Sequence, residues 1–405
     1  MGKKRILAIV PTYYPQTGGA EKAVYELYKG IADEYTTDLL CPDYGGKKEE
    51  FNGFFKIYRV CKTTKILPLK LIKYQYFAYQ KARKLLKEKK YDIIHCHYIL
   101  PSGVAGVFLK KKFKVPLVIT ENHFGSGLEI ISQEENPAIL MPIMRFIAKK
   151  ADALVSISRS QDLFLDELGK GKFKYTTIHL GGDSEVSEKS KEQLLKELKI
   201  AHNKRIIFSV SRLVKRKNYD DLIRAANEVC KKRKDVLFLI GGKGPEHDSL
   251  QALISEFGLE DNVKLLGFVS DNELEKYRKV ADVFVSTSDY EGAGIIYFEA
   301  FASRMPLFAK RNYASEEAIK DDYNGKLFNT YQELAKIILK YAFDSKKLDF
   351  FRKNGYESFR KTYNWKKYCE KYKKLYAQTI KQNKNQQPRP KGRGMLVAKK
   401  NSRSC

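Results

Sequence analysis

The segment Tyr290-Glu-Gly-Ala-Gly-Ile-Ile-Tyr-Phe-Glu-Ala-Phe-Ala-Ser-Arg-Met-Pro306 places a loop of small residues before an apolar helix. Glycine lets backbone N–H groups approach an anion closely, and the start of a helix adds its positive end. Glu291 and Glu299 lie about two helical turns apart, so both can face one ligand. The alternative is an amphipathic helix whose acids are solvated. The first interpretation predicts a site for a ligand with an anion and hydroxyl groups, such as a sugar nucleotide.

Size and cysteine content restrict the class of protein. A chain of 405 residues exceeds the usual size of a single core, and 43% hydrophobic residues are ample for two packed domains. The six cysteines are scattered and include no CxxC pair. This spacing argues against a zinc cluster or a secreted disulfide framework and indicates a reducing cytoplasm.

Apolar strands alternate with helical stretches in both halves, which is typical of α/β domains with parallel sheets. In the first half we predict strands at 5–10, 37–40, 57–60, 93–95, 117–120, 154–157 and 176–179. In the second half we predict strands at 206–210, 237–240, 263–266, 283–286 and 307–309. The boundary between two similar units is expected at Gly181-Gly182-Asp183, followed by a helical segment at 184–204.

The formal charge of +28 raises the hypothesis of a nucleic-acid-binding protein. Eight of the cations lie in residues 381–405, which contain no acid, and the others are spread through lysine-rich helices. Because no nucleic-acid module is recognisable, we expect no nucleic-acid partner. Residues 381–405 are polar and rich in helix breakers, so they are predicted to form a disordered basic tail.

A basic amphipathic stretch occupies residues 62–90, where leucine, isoleucine and aromatic residues alternate with many lysines. Such a stretch can lie on an anionic membrane surface. The alternative is a surface helix whose apolar side packs on its own domain. Both interpretations remain open from the sequence, and no segment reaches the length of a membrane span.

Seven short motifs occur in an order that resembles glycosyltransferase family 4. They are Gly18-Gly-Ala-Glu21, His95-Cys-His97, Ala151-Asp152 with Ser156-Ile-Ser158, Gly181-Gly-Asp183, Ser211-Arg-Leu213 with Lys217-Asn218, Gly241-Gly-Lys-Gly-Pro245 and Glu291-x7-Glu299. The resemblance implies the GT-B fold, in which two Rossmann-like α/β domains face each other across a cleft. The predicted parts are an acceptor domain at 1–183, a donor domain at 184–358, and a helix at 359–380 that crosses back to the first domain.

The resemblance also implies roles for individual residues. Arg212 and Lys217 match the basic pair that grips the donor diphosphate, and fixed cations would stabilise the charge that builds on this leaving group. Gly18 and Gly19 match the glycine loop that completes the diphosphate site from the first domain. Glu299 matches the acid that binds the donor ribose. Glu291 matches the acid beside the transferred sugar, and its neighbours in the donor loop are Gly292, Ala293, Gly294 and Ile295.

Three histidines and one phenylalanine have less certain roles in the sequence. His123 resembles the active-site histidine of the family, near the donor sugar and the acceptor. We predict His95 to be structural, whereas His97 could face either substrate. Phe268 could border the nucleobase by its position in the family, although a core phenylalanine is the favoured interpretation.

The implied reaction is glycosyl transfer from a UDP- or GDP-sugar with retention of the anomeric configuration. No cofactor or metal is expected, since Arg212 and Lys217 can replace a cation. The expected acceptor is a glycan or lipid-linked intermediate of surface-polysaccharide assembly, reached in the cytoplasm or on the cytoplasmic face of a membrane. The alternative is a non-catalytic nucleotide-sugar-binding or polysaccharide-assembly partner with the same fold.

Two departures from the family and one aromatic cluster complete the sequence evidence. Arg304 stands where glycine is common, and Tyr313-Ala-Ser-Glu316 replaces a glycine-rich turn that often touches the donor. These changes suggest an unusual donor preference. Trp365, with its neighbouring tyrosines, is predicted to latch the last helix onto the first domain; the alternative is packing within the second domain.

Overall fold

The computed structural model describes residues 2–15, 18–62, 67–122, 137–183 and 188–386. Within them, two α/β units follow one another, each built on a sheet of buried, mostly parallel strands, as the alternating pattern predicted. Each strand from the predicted set is present, with ends that differ by a few residues. Two short strands, Glu49–Phe51 and Gly325–Phe328, were not predicted.

The first unit contains an eight-stranded sheet among the described residues. Its strands are β1 (Lys4–Ile9), β2 (Tyr35–Asp43), β3 (Glu49–Phe51), β4 (Lys56–Lys62), β5 (Ile93–His97), β6 (Leu117–Thr120), β7 (Ala153–Ser156) and β8 (Thr176–Thr177). Their order is β3-β4-β2-β1-β5-β6-β7-β8, and only the β3–β4 pair is antiparallel. The helices are α1 (Gly19–Gly30), α2 (Leu67–Glu88), α3 (Ser102–Phe113), α4 (Pro137–Lys150) and α5 (Arg159–Gly169).

The second unit contains a six-stranded, all-parallel sheet. Its strands are β9 (Arg205–Val210), β10 (Val236–Gly241), β11 (Val263–Gly267), β12 (Val283–Ser286), β13 (Leu307–Lys310) and β14 (Gly325–Phe328), in the order β11-β10-β9-β12-β13-β14. The helices are α6 (Lys191–Glu197), α7 (Tyr219–Cys230), α8 (His247–Glu256), α9 (Asp271–Val280), α10 (Ile295–Ala302), α11 (Tyr313–Ala318), α12 (Tyr331–Tyr341), α13 (Ser345–Lys361) and α14 (Trp365–Gln386). From β9 the strand order runs to one side through β10 and β11, and it then continues on the other side from β12 to β14. Open α/β sheets bind ligands at the carboxyl ends of the strands where the order reverses in this way, here between β9 and β12.

The segment between the units differs from the prediction. Only Lys191–Glu197 is helical in the described part of 184–204, and a capping box at Ser190 fixes its start. Gly182 lies against α10: a methyl group added to it would lie 2.7 Å from the Phe298 carbonyl carbon and 2.9 Å from the Glu299 nitrogen. The glycine therefore allows the linker to touch the backbone of the helix that carries Glu299.

The last helix crosses back to the first domain, as expected, but its predicted bounds were wrong. Helix α13 ends at Lys361, and α14 begins at Trp365 and continues past residue 380 to Gln386. It packs against α1, where the Cys369 thiol lies 3.4 Å from the Glu26 carbonyl oxygen. The disordered tail was predicted for 381–405, which was wrong for 381–386 because they belong to α14, and the residues beyond 386 lie outside the described part of the chain.

A buried network of hydroxyl and imidazole groups joins α14 to the first sheet. The Tyr372 hydroxyl lies 2.8 Å from Thr120 Oγ1, and the Tyr376 hydroxyl lies 2.8 Å from His95 Nδ1. The Tyr28 hydroxyl lies 2.9 Å from His95 Nδ1 and 2.8 Å from His97 Nε2. The Tyr372 and Tyr376 hydroxyls of α14 are thus paired with polar groups of the first sheet, which makes the docking of α14 directional.

Candidate functional site

The loops that follow β9 and β12 meet at the point where the sheet order reverses. The Lys217 amine forms an ion pair with Glu291 Oε1, and both side chains are largely buried. Thr287 Oγ1 donates a hydrogen bond of 2.9 Å to the Lys217 carbonyl oxygen, and the Asp289 N–H donates one of 3.1 Å to the Arg216 carbonyl oxygen. The backbone therefore fixes a cation and a carboxylate side by side at the carboxyl edge of the sheet.

The donor loop ends at the start of α10. Gly294 has φ +65°, a left-handed conformation that glycine adopts without steric cost, and a methyl group there would lie 2.4 Å from the Tyr297 ring. The first N–H groups of a helix have no partner within the helix. The backbone of residues 292–295 thus leads from Glu291 to the positive end of α10, and its role as an anion site stays a prediction.

Glu299 lies between two cations. The Lys22 amine donates to Glu299 Oε1 at 2.7 Å, and Arg278 Nη2 donates to Glu299 Oε2 at 2.6 Å. Lys22 belongs to α1 in the first domain, so this contact bridges the two domains. Burial opposes the charge on Lys22, but the Glu299 and Asp183 carboxylates outweigh it and hold the pKa of Lys22 above its usual value. Both oxygens of the Glu299 carboxylate are therefore engaged by cations, one from each domain.

The predicted glycine loop of the first domain stands at the start of α1. Gly18 is the N-terminal capping residue and Gly19 begins the helix. Lys22 is in the first turn of this helix, so its contact with Glu299 brings the loop to the donor side of the second domain. Gly18 and Gly19 therefore stand at the start of the helix whose first turn contacts the Glu299 carboxylate.

Arg212 is exposed in the loop after β9, which a second glycine loop supports. Leu213 N–H donates a hydrogen bond of 2.9 Å to the Lys243 carbonyl oxygen. A methyl group added to Gly242 would lie 1.8 Å from the Ser211 carbonyl oxygen, and one added to Gly244 would lie 2.1 Å from the Leu213 carbonyl oxygen. Gly242 and Gly244 are therefore required because this loop touches the backbone that carries Arg212.

The first domain also reaches the donor loop directly. Ser158 Oγ donates a hydrogen bond of 2.6 Å to the Gly292 carbonyl oxygen, and the Ser160 hydroxyl lies 2.9 Å from the Tyr290 hydroxyl. His179 Nε2 lies 2.6 Å from Glu317 Oε1, another contact between the domains. Loops of both domains therefore set the position of the backbone next to Glu291.

The structure describes His95, His97 and Phe268, but His123 lies outside the described residues. His97 is buried and hydrogen-bonded rather than open to a substrate, and the Asn122 amide lies 2.9 Å from its Nδ1. Burial lowers the pKa of His97 to about 3 and lowers the pKa of His95 well below its usual value. The core interpretation of Phe268 was wrong, since 67% of it is exposed.

The structure shows how Arg304 and the segment at 313–316, the two departures from the family, are accommodated. Arg304 has φ +56°, the conformation for which glycine is suited, and its guanidinium lies 3.9 Å from the centre of the Tyr356 ring. Asn312 caps α11 in a capping box with Ser315 and donates to the Ser288 carbonyl oxygen at 2.9 Å. The segment that begins at Tyr313 is thus a capped helix, positioned beside the loop that leads to Glu291.

Two residues of this site escaped the sequence reasoning. Lys22 directly follows the Gly-Gly-Ala-Glu motif, which was its available signal, whereas Arg278 lies on another helix, 21 residues before Glu299. Ser158 belongs to a quoted motif, but its contact with Gly292, 134 residues away, was not predicted. In the part of the chain that the structure describes, no group of three or more histidine, cysteine, aspartate or glutamate side chains is arranged to hold a metal ion. In that same part, no helix is both long and apolar enough to cross a bilayer.

Comparison with known proteins gives consistent matches over both domains. Residues 17–186 match the family model of Glycosyltransferase Family 4, and residues 190–358 match that of Glycosyl transferases group 1. The alpha-monoglucosyldiacylglycerol synthase of Acholeplasma laidlawii is 26% identical over 94% of this chain and 98% of its own length. The corresponding synthase of Streptococcus pneumoniae is 24% identical over 83% of this chain and 77% of its own length.

Solved structures show the same architecture. A sucrose-phosphate synthase from Thermosynechococcus elongatus has a TM-score of 0.80 at 20% identity and covers 94% of this chain and all of its own. The Anabaena protein HepE, solved with UDP-glucose, has a TM-score of 0.73 at 21% identity and covers 92% of this chain and 99% of its own. The fold is therefore GT-B. The matches favour an enzyme over a non-catalytic binding partner, and the chain belongs to glycosyltransferase family 4 as a hexosyltransferase-type enzyme.

Proposed function

We propose that this protein transfers a sugar from a UDP- or GDP-sugar to a lipid-linked or surface-polysaccharide acceptor, with retention of the anomeric configuration. The observation that carries the proposal is the arrangement of Lys217, Glu291 and Glu299 around the donor loop. A buried cation, a row of backbone donors and two carboxylates correspond to the diphosphate, the sugar and the ribose of such a donor.

In the proposed mechanism, the bond between the anomeric carbon and the donor diphosphate oxygen breaks as the acceptor oxygen attacks from the same face. The proton of the acceptor hydroxyl passes to the leaving diphosphate. Lys217 and Arg212, with the N–H groups of residues 292–295, stabilise the charge that develops on the diphosphate. Because these two cations can do this without a metal ion, we propose a metal-independent reaction in which Glu291 and His123 border the transferred sugar.

The two alpha-monoglucosyldiacylglycerol synthases support a lipid acceptor, because their names describe a glycosylated diacylglycerol. HepE supports a nucleotide-sugar donor, because it was solved with UDP and with UDP-glucose. We propose that the reaction takes place at the cytoplasmic face of a membrane.

The test is release of nucleoside diphosphate from a panel of UDP-, GDP- and ADP-sugars, with and without membrane lipid extract. We expect one donor to be turned over, faster with extract, and Glu299→Ala to lose most of this activity. Asp271→Ala, which changes an exposed acid at the start of α9, is the matched control. Absence of turnover and of saturable binding for every donor would refute the proposal.

A further inference from the structure

Helices α2, α3 and α4 form one layer on the first sheet. Helix α2 packs against α3, and α3 packs against α4. The inner side of the layer is apolar and buried, with Tyr74 and Ala78 on α2, Leu109 on α3 and Ile147 on α4. The layer therefore needs no further apolar contact to be stable on its own domain.

The outer side of this layer is also apolar. Ile72 is 66% exposed and Tyr76 58% exposed on α2, Phe108 is 60% exposed on α3, and Ile143 and Phe146 are 42% and 57% exposed on α4. These five residues define the α2–α4 face. A single exposed apolar residue is ordinary, but several on adjoining helices indicate an interaction surface.

The charge of the three helices is predominantly positive. The sequence of α2 holds six lysine or arginine residues and one acid, and α3 and α4 together hold six more cations and no acid. Lys73, Lys111, Lys112 and Lys149 are exposed beside the apolar residues. A protein partner of mixed charge would leave many of these cations uncompensated, whereas a surface of anionic phospholipids attracts them all and also accepts aromatic side chains.

The position of the face suits an acceptor that comes from a membrane. Each of the three helices follows a parallel strand, so each begins near the carboxyl edge of the sheet, where the glycine loop of α1 and the cleft also lie. Ile72 and Tyr76 belong to the first half of α2. The apolar residues of α2 are therefore near the cleft side of the domain.

We infer that the α2–α4 face docks on an anionic phospholipid bilayer, inserting Ile72, Tyr76, Phe108 and Phe146 among the headgroups while the lysines contact lipid phosphates. The inference rests on the proposed function, since it assigns the surface that presents the acceptor membrane to the cleft. It extends the contact beyond the basic stretch at 62–90 to two further helices.

The experiment is sedimentation of the full chain with vesicles of phosphatidylcholine alone or with about 30 mol% phosphatidylglycerol. We expect binding to the anionic vesicles only. Ile72→Ser/Phe108→Ser/Phe146→Ser, and separately Lys111→Glu/Lys149→Glu, should each weaken binding by about tenfold or more. Phe350→Ser and Lys346→Glu/Lys353→Glu change exposed residues of α13 in the second domain and should leave binding unchanged.

Two outcomes overturn the inference: failure of the wild type to sediment with anionic vesicles, or equal binding by the α2–α4 and α13 variants. Thermal unfolding of each variant excludes misfolding as the cause of lost binding. Nucleoside diphosphate release without vesicles separates this result from the proposed function. Variants that keep basal release but lose vesicle binding support the surface, and vesicle binding without turnover of any donor would leave the surface valid while refuting the proposed reaction.

Discussion

The Lys22 amine lies 2.7 Å from Glu299 Oε1, and this ion pair joins helices of the two domains that are 277 residues apart in sequence. Lys22 also donates to Asp183 Oδ1 at 2.7 Å, at the linker between the domains. The carboxylate proposed to bind the donor ribose is thus occupied by a cation of the opposite domain, so a donor must compete with Lys22.

Lys22→Met should strengthen the binding of the nucleoside diphosphate about fivefold, because it frees Glu299 Oε1 and a partly exposed pair contributes about 1 kcal/mol. Titration calorimetry with UDP and GDP measures this affinity. Lys29→Met, on the same helix but paired with Glu26 at 3.7 Å, is the control and should bind as the wild type does. Weaker binding by Lys22→Met would show instead that Lys22 contacts the donor.

Lys217→Ala should lower kcat about 100- to 1000-fold, as expected when one preorganised stabiliser of the leaving group is removed. Lys215→Ala is the matched control, since Lys215 lies in the same short helical turn but is exposed. Steady-state kinetics with the preferred donor should show the loss chiefly in kcat for Lys217→Ala and no change for Lys215→Ala. A defect confined to KM would mean that Lys217 acts only in ground-state binding.

Gly182→Ala should displace α10, because the added methyl group would lie within 3 Å of backbone atoms of Phe298 and Glu299. Since backbone atoms cannot turn aside as a flexible side chain does, we expect a loss of about 1 to 3 kcal/mol in stability and weaker donor binding. Urea unfolding and calorimetry measure the two effects. Gly2→Ala, where nothing lies within 4 Å, is the control. Unchanged stability of Gly182→Ala would contradict the tight packing of the linker.

Acid should destabilise the protein through His97. Burial lowers its pKa to about 3 from 6.5, so between these values the unfolded chain binds a proton that the native protein does not. The contribution of neutral His97 to the free energy of unfolding is therefore complete above pH 6.5. The free energy of unfolding decreases as the pH falls below this value, by about 2 kcal/mol at pH 5. Urea unfolding at pH 7 and pH 5 measures it, and His97→Gln should reduce the difference by that amount. His202→Gln, an exposed histidine, should not.

The sequence predicted the fold class correctly, and it placed Glu291 and Glu299 on one loop and helix, because both depend on local order. Buried strands alternate with helices, and Glu291, Gly294 and Glu299 belong to one segment whose spacing fixes their side of the loop and helix. Lys217 was singled out because it matches a basic residue of the family and lies in the loop that follows a recognisable strand, β9. Strands β3 and β14 were missed because strands this short carry little alternation of their own.

Only the tertiary structure decided which groups meet from distant parts of the chain. Lys22 reaches Glu299 from the first domain and Arg278 reaches it from α9, and His97 is buried because Tyr28 and Asn122 surround it. Local sequence determines the strands, helices and glycine turns, since these depend on short-range sterics and burial patterns. The partners of each charge depend on how two domains and the last helix close together, which no short segment specifies.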